Sequence, residues 1–160
     1  MRRVTCSGLI LVFALAPVVV TQDAGIDAFF TRFSDAWVER DPDLAVRTRY
    51  FTGEKQDRLE RQITSATPAA RRQRVELARR GLTELAAFDR ASMAPTQRMS
   101  ADLLEWQLQM IVDGDRFEDY FFPLEQFGGV NVGLVTALTV THPLRTVRDA
   151  ENYAARMREV

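Results

Sequence analysis

The sequence predicts an all-α protein: a helical bundle with long antiparallel helices and one Gly-rich irregular segment. Three observations lead there. Apolar residues recur at steps of three and four through most of the chain after residue 23. Pro-led caps punctuate that rhythm at Asp41-Pro42 and Thr67-Pro68. Alternation of period two is absent except for a β-branched run at Val135 to Thr141, which fits either a short helix or a strand. At 160 residues and 46% hydrophobic, the chain can bury one core and is too short for two.

The first 22 residues read as a signal peptide rather than as fold. Arg2 and Arg3 precede an uncharged run from Leu9 to Val20, and polar residues follow at Thr21-Gln22-Asp23. A spanning helix needs about 20 apolar residues, and this run is shorter and holds Pro17. The expected location is therefore exported, periplasmic or extracellular, with no membrane partner beyond the export signal. Removing that segment takes away Cys6, so the helical domain at 23–160 has no disulfide and relies on packing. It leaves 19 basic residues against 22 acidic ones, a balance that gives no general attraction to nucleic acid.

Within the domain, Ile26, Phe29, Phe30, Phe33 and Trp37 make an aromatic stripe on a first helix. A second short helix starts at Asp41-Pro42 and is broken at Thr52-Gly53. A long one runs from Thr67 to about Arg90, burying Val75, Ala78, Leu82 and Leu85. The next begins near Thr96 and is predicted to reach Pro123, with a possible bend at Gly114. Its Met99, Leu103, Trp106, Met110, Phe117 and Phe121 form one apolar face, and Leu104, Leu108 and Ile111 a second. Such a helix is expected to be central, packed between neighbours. A last helix, entered through a Thr146–Asp149 capping box, is predicted to bury Val147, Ala150, Ala154 and Met157. It shows no Gly or Asn stop before Val160, so the chain is expected to be the front of something longer.

Candidate chemistry is thin. His142 is the only histidine, and a zinc site needs three or four ligands, so no catalytic, cofactor-binding or metal residue is assigned. No motif ties His142 to Ser92 or Ser100, and it reads as a residue leading into the last helix beside Pro143. Asp113-Gly114-Asp115 with Glu118 and Asp119 fails the calcium-loop spacing. Arg71, Arg72, Arg74, Arg79 and Arg80, interleaved with Glu76 and Glu84, read as a salt-bridged surface. Phe121, Phe122 and Leu124 before Gly128-Gly129 fit either a core corner or a binding edge.

Five stretches in order, "DPDLAV", "RRGLTELAAFD", "MSADLLEWQLQ", "FEDYFFPLEQFGG" and "THPLRTVRDAENYAARM", resemble the N-terminal part of the domain-of-unknown-function 885 family of exported bacterial proteins. The resemblance runs from about Ile26 to Met157 and departs from the family at Thr48 to Gly53. It implies an N-terminal helical part of a gluzincin-like fold. It also implies that longer members carry a downstream H-E-x-x-P-G-H-H-like zinc motif, which nothing here matches. Zinc is thus implied for the longer proteins and no cofactor for this chain, with His142-Pro143 a scaffold feature. The expected function is an inactive N-terminal fragment whose partners are a missing C-terminal half or a peptide substrate. The alternative is a stand-alone exported helical module that binds a peptide or protein.

Overall fold

The computed structural model describes residues 23–160, so the export signal expected at 1–22 lies outside the described residues. Seven α-helices follow in order: α1 (Asp23–Glu39), α2 (Pro42–Thr48), α3 (Gly53–Leu59), α4 (Pro68–Ala86), α5 (Pro95–Gly114), α6 (Val130–Thr136) and α7 (Val147–Arg156). Among the described residues there is no strand, which is the all-α architecture the periodicity predicts.

The centre is the α4–α5 hairpin. Its two helices are joined through a short 3₁₀ turn at Arg90–Ser92, where the Asp89 carboxylate accepts the Ala91 N–H at 2.9 Å. The pairing is antiparallel: Arg71 near the start of α4 meets Asp115 just past the end of α5, and Gly81 faces Leu108. Across this hairpin α1 lays its aromatic stripe. Ile26, Phe29, Leu85, Met93 and Ala101 form the buried cluster, and Phe30, Phe33, Phe88 and Leu104 pack around it. The contact is close because Gly81 carries no side chain. A Cβ there would lie 2.4 Å from the Phe33 ring and 2.9 Å from Leu108 Cδ1.

A second, smaller cluster of Val38, Ala45 and Leu59, with Leu44 and Phe51, joins the end of α1 to α2 and α3. Asp41 caps α2 by accepting the Leu44 N–H at 3.0 Å, and Pro42 holds its first position, as the sequence predicts. The segment after it departs from expectation. Arg49 stops α2 in a left-handed conformation (φ 52), and Gly53 (φ 60) opens a separate helix, α3, that the Thr52-Gly53 break conceals. Left-handed backbone costs a non-glycine residue roughly 1 kcal/mol, and the 2.7 Å pair between Arg49 and the buried Glu60 offsets it.

Two further expectations are corrected, and one open alternative is decided. Helix α5 ends at Gly114 instead of running to Pro123, and a 3₁₀ segment, Asp115–Tyr120, carries on. The ambiguous β-branched run is helical: α6 passes directly into a π-turn at Ala137–Thr141. Helix α7 closes at Arg156, with the Met157 N–H on the Tyr153 carbonyl at 2.9 Å.

At Gly81 two effects oppose each other. Alanine would gain up to about 1 kcal/mol of helix propensity, while overpacking a filled contact costs roughly 1–3 kcal/mol. With 2.4 Å to an aromatic ring the clash wins. Gly81→Ala is expected to lower stability by about 1 kcal/mol in chemical denaturation, and an unchanged or raised midpoint would contradict that packing.

Candidate functional site

Two features stand out from the packing: a buried polar node and an exposed apolar seam. The node forms where α7 meets α2 and α3. The sequence reading placed Val147, Ala150, Ala154 and Met157 inward, and the structure turns these outward. Asp149, Asn152 and Arg156 face the protein instead. The cause lies opposite them, where α2 and α3 present carboxylates rather than apolar groups.

Arg156, fully buried, donates from Nη2 to Asp43 of α2 across 113 positions of sequence. Asn152 donates to Glu60 at 3.3 Å and to Asp57 at 3.2 Å, and accepts from Arg61 Nε at 2.9 Å. Glu60 also accepts from Arg49 at 2.7 Å and from Gln56 at 3.0 Å. Arg148 closes the rim on Asp57 at 2.7 Å. Burial pulls the Arg156 guanidinium below its ordinary value, opposed by the charges of Asp43 and Glu60.

His142 sits beside this node. Its Nε2 is 3.0 Å from the Asp149 carbonyl oxygen, which can only accept, so Nε2 carries a proton. The ring leans on Tyr153 at 5.3 Å. Nδ1 is buried without a hydrogen-bond partner among the described residues. The Ser92 hydroxyl is committed to the Asp89 carbonyl at 2.8 Å, and Ser100 lies exposed on α5. No group of three His, Cys, Asp or Glu side chains is placed to hold a metal among the described residues. The faintly calcium-like acidic run serves Arg71, which reaches Asp119 at 3.3 Å and Asp115 at 3.9 Å. Of the remaining arginines, Arg80 pairs with Glu76, and Arg74 stacks over Trp37 at 4.7 Å.

The seam is the apolar face of α5 turned away from α4. Leu108 is buried, with Leu104 and Ile111 half-buried, so one of the two predicted faces packs as expected. Met99, Leu103, Trp106 and Met110 do not, and Trp106 is 61% exposed. Phe117 and Phe121 extend the same surface. The corner beyond is open too: Phe122 and Phe127 are 85% and 86% exposed. Its backbone turns back on itself, with the Val130 N–H on the Pro123 carbonyl at 2.8 Å. Gly129 permits this, because a Cβ there would stand 2.3 Å from the Glu125 nitrogen. The corner is therefore an exposed edge and not part of the core. Beside it, a cleft of 740 Å³ between α4 and α5 takes in Trp37, Arg71, Arg74, Met110 and Phe121. No helix among the described residues is long and apolar enough to cross a membrane.

The described residues thus form an all-helical domain with a polar node inside and apolar faces outside. Residues 47–160 match the family described as "Bacterial protein of unknown function (DUF885)", and the chain belongs to that family. The match begins within α2, so it leaves out α1 and the "DPDLAV" stretch that the resemblance had included. No curated protein and no solved structure was found to match the chain.

Removing Arg156 leaves Asp43 without its buried cation and takes a positive charge away from the neighbourhood of Glu60. Breaking one partner of a buried charge cluster costs roughly 3–5 kcal/mol. Arg156→Ala is expected to lose about 3 kcal/mol in urea denaturation, and a loss under about 1 kcal/mol would show that the node contributes little.

The node also sets an acid limit. The Asp149 carboxyl lies below the usual range because it accepts the Arg145 and Thr146 N–H groups and the Thr146 hydroxyl, against the upward push of burial. Asp57 is lowered chiefly by its hydrogen bond from Arg148. A carboxylate lowered on folding binds fewer protons folded than unfolded. Its stabilisation is complete above the unfolded value near pH 4 and is lost as pH falls through the lower folded values. Melting temperature is expected to drop as pH falls below about 4. Asp149→Asn should cost about 1 kcal/mol at neutral pH and flatten that drop. An unchanged acid slope in the variant would remove Asp149 from the explanation.

Proposed function

We propose that this chain is the N-terminal helical part of a larger exported bacterial protein that resembles all-helical zinc peptidases. In this reading it has no catalytic centre of its own. Its helices form part of the wall or lid over a substrate channel, and zinc and the reacting groups belong to the downstream half. The observation that carries the proposal is the exposed seam of Met99, Leu103, Trp106 and Met110 on α5. A contiguous apolar line on a soluble domain marks a surface that another body covers. The outward Val147, Ala150, Ala154 and Met157 of α7 add a second such face. The export signal read at 1–22 supports the location.

The alternative is a stand-alone exported module that binds a peptide or protein at its aromatic corner, favoured by the exposure of Phe121, Phe122, Leu124 and Phe127. The DNA beyond codon 160 separates the two. A continuing or adjacent frame encoding an H-E-x-x-P-G-H-H-like motif is expected, and a stop followed by unrelated genes would contradict the first reading. On either reading the purified chain should hydrolyse no peptide with or without added zinc. Hydrolysis that persists in purified protein and disappears in His142→Ala would overturn the assignment of no catalytic residue.

A further inference from the structure

We infer that the α5 seam seats one amphipathic α-helix that carries a basic residue opposite Asp113. The inference rests on the seam being an interior surface of the working protein.

The spacing identifies the kind of occupant. Met99, Leu103, Trp106 and Met110 advance by four, three and four residues, the rhythm of a coiled-coil seam. Leu104, Leu108 and Ile111 are turned toward the other side of α5, which leaves the exposed apolar strip narrow. A narrow strip with that rhythm accepts the ridges of a helix crossing at about 20°.

The next step of three beyond Met110 is Asp113, on the seam line itself and before Phe117. It is exposed and has no ion-pair partner among the described residues. Covering that carboxylate with an apolar partner would strand a charge, so a cation must meet it. Its surroundings strengthen the demand. Glu118 is exposed a few positions on, Asp119 is already taken by Arg71 at 3.3 Å, and the Arg116 guanidinium lies over the Phe117 ring at 4.8 Å. At the opposite end of the seam Arg90 already serves Glu105 at 2.7 Å and Asp102 at 3.8 Å. Of the three acids on α5, Asp102 and Glu105 are paired and Asp113 has no partner among the described residues, so the unpaired charge of this helix lies at its C-terminal end.

A second copy of the chain is a poorer occupant. Antiparallel pairing about the seam's midpoint would set Met99 against Met110 and Leu103 against Trp106, but would face Asp113 with Thr96. Parallel pairing would set Asp113 against itself. Neither supplies the cation.

The test uses the 160-residue chain with Trp37→Phe, which leaves Trp106 as the sole tryptophan reporter. Two synthetic helices of about 20 residues, long enough to hold helical structure, carry a leucine seam with either lysine or glutamate at the position that meets Asp113. The lysine peptide is expected to shift Trp106 emission to the blue and to bind at least about threefold tighter than the glutamate peptide. Asp113→Lys should reverse that order, and Leu103→Asp should abolish both complexes. Equal affinity for the two peptides, or self-association of the chain in their place, would overturn the proposed cation while leaving the seam an interior surface. Binding of neither peptide would overturn both the inference and the interior reading on which it rests.

Discussion

The buried contact between Arg156 and Asp43 ties the end of the chain to its beginning, and the orientation of the other surfaces depends on it. A buried guanidinium is tolerated only where opposite charge meets it, and here Asp43 takes Nη2 and the charge of Glu60 supports it, while Nε and Nη1 have no hydrogen-bond partner among the described residues. Helix α7 is short and has two faces, one polar and one apolar. Solvation alone would turn the polar face out. The carboxylates beside α2 and α3 reverse that preference, because Asp43 and Asp57 draw in Arg156 and Arg148, and Glu60 takes Asn152 in addition to its own Arg49 and Gln56. The node contributes more to specificity than to net stability: an apolar isostere could match its energy, but would not fix which face of α7 docks.

That choice has a consequence at the surface. With the polar face of α7 inside, Val147 and Met157 are outside. Helix α5 does the same with Met99 through Met110, and the corner around Phe122 adds a third apolar area. A small domain often leaves single hydrophobic residues in water, but not whole helix faces with intact spacing. The interior of this domain is satisfied by Phe29, Leu85, Ala101 and their neighbours, so the outward faces are not leftovers of a poor core. They have the periodicity of surfaces built to be packed.

Much of this was legible in the sequence where a single physical preference decides the outcome. The aromatic stripe of α1, the proline-led starts of α2 and α4, and the Thr146–Asp149 capping box all follow from local chemistry and appear as read. The errors fall where two preferences compete. Periodicity identifies the two faces of α7 and α5 but not which neighbour each will meet, so it places the outward face of α7 inside and packs both faces of α5. The helix α3 was hidden because Arg49 takes a left-handed conformation usually reserved for glycine, held by a glutamate eleven positions away. His142 was read correctly as a lead-in, although its bond to the Asp149 carbonyl could not be seen from spacing.

The central claim is that the outward faces of α5 and α7 are interior surfaces in the protein as its host makes it. Oxidative footprinting measures this directly, because methionine and tryptophan side chains react in proportion to their exposure. Met99, Met110 and Met157 with Trp106 should label readily in the purified chain and be strongly protected in material recovered from the host. Equal labelling in the two samples would mean that these faces are open to solvent in the working protein, and would contradict the claim.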